Sequence, residues 1–288
     1  MKTQKVWFIT GASRGFGLEI ASAALAVGDR VVATVRSQPA QLATTLHNHP
    51  DLYVVQMDVT QEEQVQAAVK QGIARFGRLD VLINNAGFGM VTAIEEATDA
   101  EVRKQYDTNV FGLLNVTRAV LPYLRQQKSG HIINISSLFG YDAIPGWGLY
   151  GSTKFAVEGL SKGLAVELAP LGIRVTVVAP GLFSTDFLST ESYVAAKTII
   201  DDYQETVGPM RSGADTLHGH QPGDPKKFAA VIIQLANAEH PPLHLPVGKD
   251  TIAMYRNNTA KVAAEIEAWL PVATSTDHDH RITASTIA

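Results

Sequence analysis

Short apolar runs alternate strictly with longer amphipathic stretches from residue 6 to about residue 178, and no other feature constrains the fold of this 288-residue chain as tightly. The runs at 6–10, 30–35, 52–57, 79–83, 131–135 and 173–178 are short, largely uninterrupted and rich in Val and Ile, so they read as buried strands. The stretches between them carry helix signals. A Thr60-Gln61-Glu62-Glu63 sequence and a Thr98-Asp99-Ala100-Glu101 sequence each have the form of a capping box. Val65, Val69, Ile73 and Phe76 then form an apolar stripe that stops at Gly77, and the second helix is expected to run to about Gln127. Unbroken apolar strands separated by helices predict an α/β fold: one doubly wound parallel sheet of about seven strands in three layers, α/β/α. Ligands of such sheets sit beyond the carboxyl ends of the strands. Gly11, Asp58, Asn85, Ser137 and Pro180-Gly181 all fall at those ends.

The first strand runs into Thr10-Gly11-Ala12-Ser13-Arg14-Gly15-Phe16-Gly17, and an Ala-rich stretch closed by Gly28 follows. A strand, a glycine turn and a helix make a Rossmann-type dinucleotide site. The glycines let the backbone approach a pyrophosphate, and the helix N-terminus offers N–H groups and partial positive charge. The spacing is G-x-x-x-G-x-G rather than G-x-G-x-x-G. At the end of the second strand, where a carboxylate would hold a ribose 2′-hydroxyl, none stands: Val35 is followed by Arg36. Arg36 and Arg14 can clamp a 2′-phosphate between them, which predicts NADP(H). The competing reading is that Arg36 is a solvated strand end.

Ser136-Ser137 closes the fifth strand, and Tyr150-Gly151-Ser152-Thr153-Lys154 follows. On a helix, Tyr150 and Lys154 project from one face, one turn apart. A tyrosine hydroxyl titrates near ~10, and an adjacent ammonium favours the phenolate and draws that value toward neutrality. Taken alone the pair is common, and a surface Tyr and Lys would look the same. The helix is expected to continue on Leu160, Leu164 and Leu168 as its core stripe. Asn109, amid Thr108, Val110 and Phe111, is unusual inside an apolar helix; it either bonds locally as a structural residue or bends the helix and holds water.

After Gly181 the regular pattern breaks. Residues 182–223 mix aromatic side chains with Gly, Ser and His, and such an insertion at the ligand edge reads as a lid. Asp224-Pro225 opens a further helix, 244–247 reads as a last strand, and 250–270 reads as a closing amphipathic helix with Ile252, Tyr255, Val262, Ile266 and Trp269 as its buried face. Residues 1–270 are thus expected to form one catalytic domain, with 271–288 a polar, mobile tail.

The chain has no cysteine, which excludes disulfides, thiolate zinc sites and cysteine nucleophiles. Its net charge of −4 and the lack of a basic run argue against nucleic acid. No apolar run reaches membrane-spanning length and the N-terminus lacks a signal-peptide core, so a cytoplasmic protein with no membrane partner is expected. His218-Gly219-His220 and Asp277-His278-Asp279-His280 invite a metal reading, but sparse His in a loop and a tail are more often solvated, and no metal is expected.

Taken together, the motifs resemble the short-chain dehydrogenase/reductase family in its single-domain form. The matching elements are Thr10-Gly11-x-x-x-Gly15-x-Gly17, Asp58, Asn85-Ala86-Gly87, Asn109, Ser137, Tyr150-x-x-x-Lys154 and Pro180-Gly181 with Thr185, in family order, with thirteen residues from Ser137 to Tyr150. The resemblance implies that Tyr150 is the general acid in ketone reduction and the base in alcohol oxidation. It implies that Ser137 bonds the substrate oxygen and that Lys154 bonds the nicotinamide ribose and shifts Tyr150. Asn109 would hold a water that links Lys154 to solvent. It also implies that Gly11, Ser13, Arg14, Gly15, Phe16, Gly17 and Arg36 bind the cofactor's phosphates. Asp58 and Val59 would border its adenine, Asn85, Ala86 and Gly87 would line the ribose path, and Pro180, Gly181 and Thr185 would lie by the nicotinamide. Leu138, Phe139, Ile144, Trp147, Phe183, Phe187 and Met210 are expected to wall an apolar pocket, which favours a hydrophobic ketone or secondary alcohol; several of them also read as ordinary core. The ending, with a long helix in place of the Gly- and Asp-rich strand that packs across subunits in many family tetramers, is more like the steroid- and retinol-type branch and related bacterial reductases. A monomer or a homodimer is therefore as much to be expected as a tetramer. A nucleotide-binding sensor that keeps the fold without the chemistry is the alternative; the full Ser-Tyr-Lys-Asn set weighs against it.

Overall fold

Seven strands form one parallel sheet in the computed structural model, which describes residues 4–188, 193–195, 197–217 and 219–278. The first half is wound as β1 (Val6–Ile9), α1 (Gly15–Ala26), β2 (Arg30–Val35), α2 (Pro39–Thr45), β3 (Leu52–Gln56), α3 (Glu62–Phe76) and β4 (Val81–Asn84). A short strand, β5 (Gly89–Val91), precedes α4 (Asp99–Tyr106) and α5 (Gly112–Gln127). Then come β6 (Gly130–Ile135), α6 (Gly148–Leu168), β7 (Ile173–Pro180), β8 (Tyr193–Ala195), α7 (Gly208–Leu217), α8 (Pro225–Asn237), β9 (His244–Val247) and α9 (Lys249–Thr274). The order across the sheet is β3-β2-β1-β4-β6-β7-β9, and the strand order reverses between β1 and β4. A crevice opens where neighbouring crossovers leave in opposite directions.

The alternation of β1 shows how both faces are filled. Trp7 and Ile9 pack with Ile20, Ala21 and Ala24 of α1, Leu42 of α2 and Phe228 and Ile232 of α8. Phe8 points the other way, into a layer made with Val65 and Val69 of α3 and Val116, Val120 and Leu124 of α5. Burial on both faces is what selects continuous apolar strands over alternating ones. The buried Trp7 indole N–H is satisfied by Asp29 Oδ2 at 2.9 Å.

Local signals fare unevenly. The Thr98 capping box forms, with Thr98 N–H donating to Glu101 Oε2 at 3.0 Å and Glu101 N–H donating back to Thr98 Oγ1 at 3.3 Å. The one expected at Thr60 does not. Thr60 gives its hydroxyl to Asp58 Oδ1 at 2.8 Å, and α3 starts at Glu62 behind an uncapped Gln61. A short polar side chain two residues back competes for the same hydroxyl. The helix expected through Gln127 is continuous but carries a π turn at Asp107–Phe111, between α4 and α5. Of the leucines expected to form the core stripe of α6, Leu168 is buried, while Leu160 and Leu164 are only partly buried; Tyr150, Lys154, Val157, Glu158 and Ser161 are among the other buried positions of the helix.

The apolar stripe of α9 is a correction. Trp269 is 66% exposed and Ile266 54%, and Ile252, Tyr255 and Val262 are exposed too; Thr251 is the buried residue of the helix. Periodicity reports that a helix face is apolar, not that the same chain covers it. The helix also runs on through Thr274, into the stretch expected to be a mobile tail; the rest of that tail beyond residue 278 lies outside the described residues.

The expected lid is more structured than its composition suggests. β8 adds to β5 in register from Gly89↔Tyr193 to Val91↔Ala195, and α7 follows. A buried carboxylate ties the insertion down. Glu96 accepts from Ile200 N–H at 2.9 Å and Ala93 N–H at 2.8 Å and is bonded to Arg211 of α7. Burial opposes its ionisation, but Ile200, Arg211 and Ala93 outweigh burial and hold its carboxyl at about 2, below an ordinary 4.5. A carboxyl depressed in the fold stabilises above its unfolded pKa and loses that contribution as pH falls through the folded one. Replacing Glu96 with Gln should cost about 3 kcal/mol near neutrality. In urea denaturation the gap between the two proteins should narrow as pH falls from about 5 to about 2.

Candidate active site

A cleft of about 1750 Å³ opens at the carboxyl edge of the sheet, over the β1–β4 reversal. One end is built from backbone. Gly11 (φ +65°) and Gly15 (φ +54°) adopt left-handed conformations that side chains rarely take, and a Cβ on Gly11 would stand 3.0 Å from Ala86 Cα. The first turn of α1 has no side-chain cap and no acidic residue, so its N–H groups and the helix dipole suit an anion at the cleft. Thr10 Oγ1 accepts from the N–H groups of Asn85 and Ala86 at 2.9 and 3.0 Å, and Asn85 Nδ2 donates to the carbonyls of Thr10 and Gly11 at 2.9 and 3.0 Å. The loops after β1 and β4 are thereby braced against each other. These features fit a dinucleotide pyrophosphate.

Ser13, Arg14, Phe16, Arg36, Asp58, Val59, Ala86, Gly87, Pro180, Gly181 and Thr185 line the same cleft with Gly11, Gly15 and Asn85. Gly17 does not. Its place is packing, because a Cβ there would overlap the Gly11 carbonyl and lie 2.7 Å from Asn85 Nδ2. Ser37, Gln38, Gln41 and Thr45 also line the Arg36 end, and sequence reading missed them because it missed α2; Pro39 at the helix start was the available signal. Asp250, also missed, accepts from Leu182 N–H at 2.7 Å and fixes the turn after β7.

The other end is buried and aromatic. Ser137 leaves β6, Tyr150 and Lys154 descend α6, and Ser137 lies near enough to the Tyr150 hydroxyl to favour its ionised form. Lys154 Nζ donates to Ile135 O at 2.9 Å and lies 5.6 Å from the centre of the Tyr150 ring. Asn109 sits in the π turn. Its Nδ2 donates to Phe88 O at 3.0 Å and Thr153 Oγ1 at 3.1 Å, and its Oδ1 accepts from Phe88 N–H at 3.1 Å. It bonds structurally and does not line the cleft, yet a Cβ on Gly87 would meet both Asn109 Oδ1 (3.1 Å) and Lys154 Nζ (3.8 Å). The side chains of Asn109 and Lys154 therefore converge on Gly87.

Burial pushes the Tyr150 hydroxyl above its ordinary range, and nearby Ser137 pulls it back only in part. The expectation that Lys154 would draw the phenol down gives way here to desolvation. The ammonium is itself lowered to about 8 by burial. At neutral pH the site thus holds a phenol, the form that donates a proton.

Leu138, Phe139, Ile144, Trp147, Phe187 and Met210 wall the cleft beside Tyr150, with Phe139 stacked on Trp147 at 4.9 Å. Phe183 lines its border but packs with a different group, edge-on to Phe16 at 5.2 Å and to Phe228 at 5.4 Å. It belongs chiefly to the core under α1 and α8. Among the described residues no His, Asp and Glu cluster is arranged to hold a metal, and His218, Asp279 and His280 lie outside them. No helix among the described residues is long and apolar enough to cross a membrane.

Residues 5–194 match the family model described as short chain dehydrogenase. Oxidoreductase BOA17 of Botryotinia fuckeliana is 42% identical over 268 residues, covering 92% of this chain and 96% of the relative. A 3-ketodihydrosphingosine reductase of Bacteroides thetaiotaomicron is 37% identical over 268 residues, covering 93% of each. A crystal structure of a short-chain dehydrogenase from Streptomyces avermitilis superposes with a TM-score of 0.89 at 40% identity, over 96% of this chain and 100% of that one. ElxO with NADP bound superposes with a TM-score of 0.71 at 30% identity, over 87% of this chain and 100% of its own.

Gly17 gives a test of the braced turn. Gly17→Ala should destabilise the chain by about 2 kcal/mol in denaturant unfolding, because backbone rather than a flexible side chain blocks the new methyl. Dinucleotide affinity, read by quenching of Trp fluorescence, should fall with it.

Proposed function

The chain belongs to the short-chain dehydrogenase/reductase family and is an oxidoreductase, and from that premise we propose that it transfers hydride between NADP(H) and a hydrophobic ketone or secondary alcohol. The observation that carries this reading is that Ser137, Tyr150 and Lys154 meet in one cleft beside an apolar pocket, with Lys154 against the tyrosine ring. NADPH, when bound, supplies the hydride that reduces the carbonyl carbon. Tyr150 gives its hydroxyl proton to the carbonyl oxygen as that oxygen gains electrons. Ser137 donates to the same oxygen, so charge develops against two fixed donors in a site poor in water. Lys154 steadies the phenolate left behind, and Asn109, converging with it at Gly87, is suited to the route by which Tyr150 is reprotonated. Alcohol oxidation runs through the same groups in reverse, with Tyr150 taking the proton.

The residues fit the cofactor at both ends. The uncapped turn of α1 with Gly11 and Gly15 would hold the pyrophosphate, and Arg14 and Arg36 the 2′-phosphate, with no carboxylate at the β2 end to repel it. ElxO, which is 30% identical, was solved with NADP. Ketone reduction draws support from the pocket's aromatic walls and from the relative named as a 3-keto compound's reductase.

Tyr150→Phe keeps the ring and removes the proton. It should lower kcat for NADPH-dependent reduction of apolar ketones by about 10²–10⁴ while NADPH affinity changes little. Turnover at the native rate in that variant would sink the mechanism. Arg36→Asp should weaken NADPH by tenfold or more, roughly the worth of a charge-assisted contact, and spare NADH; titration of both cofactors reads the difference.

A further inference from the structure

Glu158 lies one turn beyond Lys154, so Tyr150, Lys154 and Glu158 form a column on one face of α6. All three are buried, and Glu158 is only 4% exposed. Other elements close around its carboxylate. Ser136 comes from the end of β6, and Gly140 and Tyr141 from the turn that follows Ser137. A Cβ on Gly140 would stand 2.6 Å from Ser136 Oγ and 3.4 Å from Glu158 Oε1, so both oxygens flank one glycine. Tyr255 of α9 packs edge-on to Tyr141 at 4.6 Å, and Asn258 of α9 donates to Tyr141 O at 2.6 Å. On α6 itself the charged groups that act on Glu158 are Lys162, whose residue is exposed, and Lys154. Ser136 approaches the carboxylate, yet Ser136 Oγ, Tyr141 Oη and both Glu158 oxygens lack a hydrogen bond of good geometry.

A carboxylate kept in such a place is a poor structural element, because a buried charge is costly unless it is paired and well bonded. Its worth must come from what it faces. Lys154 has also been taken out of water, and its Nζ bond to Ile135 O satisfies a donor without balancing a charge. The acid that acts on Lys154 is Glu158.

We propose that Glu158 is a positioning residue that keeps Lys154 an ammonium by supplying its countercharge from the side away from the cleft, leaving the near side of Lys154 to the Tyr150 ring and the bound ligands. The two do not form a salt bridge; they act on each other through a low-dielectric interior across one helical turn. Burial lowers Lys154 and Glu158 opposes it, which leaves the ammonium at about 8. Burial raises Glu158 to about 7, against Ser136, Lys162 and Lys154. The consequence for turnover rests on the ketone-reduction reading above, whereas the charge pairing does not.

The test titrates Lys154 directly in the full chain by its ¹³Cε resonance, assigned through its loss in Lys154→Met. In Glu158→Gln the midpoint should fall by about one unit or more, the scale of a lost opposite charge nearby. Glu158→Asp, which withdraws the charge by one methylene, should fall between. Tyr141→Phe disturbs the same packing without touching a charge and should leave the midpoint where it is. The alkaline limb of kcat for ketone reduction should move down in Glu158→Gln by the same amount, with Tyr141→Phe again unmoved. An unshifted Lys154 midpoint in Glu158→Gln overturns the proposal, as does an equal shift in Tyr141→Phe. If Glu158→Gln does not fold, Glu158→Asp decides alone: a lowered midpoint supports the pairing and an unmoved one overturns it. A shifted Lys154 in a chain that reduces no ketone would leave the pairing standing and bring down the ketone-reduction reading instead.

Discussion

The bond from Lys154 Nζ to Ile135 O, 2.9 Å long, joins α6 to the end of β6. Ser136 and Ser137 leave the sheet immediately after that carbonyl, and Tyr150 stands one turn above Lys154 on the helix. This contact therefore helps set the height of the helix against the strand from which its partner hydroxyl emerges. If the helix slid by one residue, Tyr150 would rotate by about 100° away from Ser137. The fold's precision at the reaction centre comes from this side chain reaching back to a backbone acceptor, more than from apolar packing, which tolerates small slips.

A buried polar network supports that alignment from below. Asn84 at the end of β4 donates to Asn134 Oδ1 on β6 at 2.9 Å and to Thr117 Oγ1 on α5 at 3.0 Å. Asn134 in turn donates to Ser161 Oγ on α6 at 2.9 Å. Two strand ends and two helices are thus pinned by donors and acceptors whose geometry is narrower than that of packed methyl groups. A shifted register would leave these amides unpaired, and an unpaired buried amide costs about 1–3 kcal/mol. The residues that carry the site leave from the next positions along: Asn85 after Asn84, and Ser136 and Ser137 after Ile135.

What could be read from the sequence follows from how local each signal is. The strands were legible because β-branched runs buried on two faces need no partner to be recognised. The glycine turn was legible because its left-handed positions demand glycine. Tyr150 and Lys154 were legible because their relation is four residues long. The α9 stripe misled, since periodicity is local and coverage is not. The Thr60 box failed because Asp58, two residues back, took the hydroxyl. The lid looked irregular because its tie, Glu96 to Arg211, spans 115 residues. Glu158 was within reach: extending the Tyr150–Lys154 spacing by one more turn lands on it, and a carboxylate on the buried face of a helix is an anomaly that asks for a partner.

The two ends of the cleft obey different physics. The end by β1 and β4 is made of backbone N–H groups, glycines, a half-buried Arg14 and an exposed Arg36, so it can take a highly charged group while water still screens it. The end by α6 excludes water, which strengthens each remaining charge and makes its pairing matter. These ends also differ in what holds them. The chemistry is fixed by α6 and β6, elements locked into the sheet, whereas part of the apolar wall, Phe187 and Met210, comes from residues 182–223, fastened by β8 against β5 and by Glu96. Changing Met210 of α7 need not disturb the column of Tyr150, Lys154 and Glu158, because the column's ring contacts go to Phe139, Trp147 and Phe187 and its Lys154 bond goes to β6. A fold arranged this way can exchange one apolar substrate for another at its lid while keeping one proton-transfer geometry, and that separation follows from where its polar contacts lie.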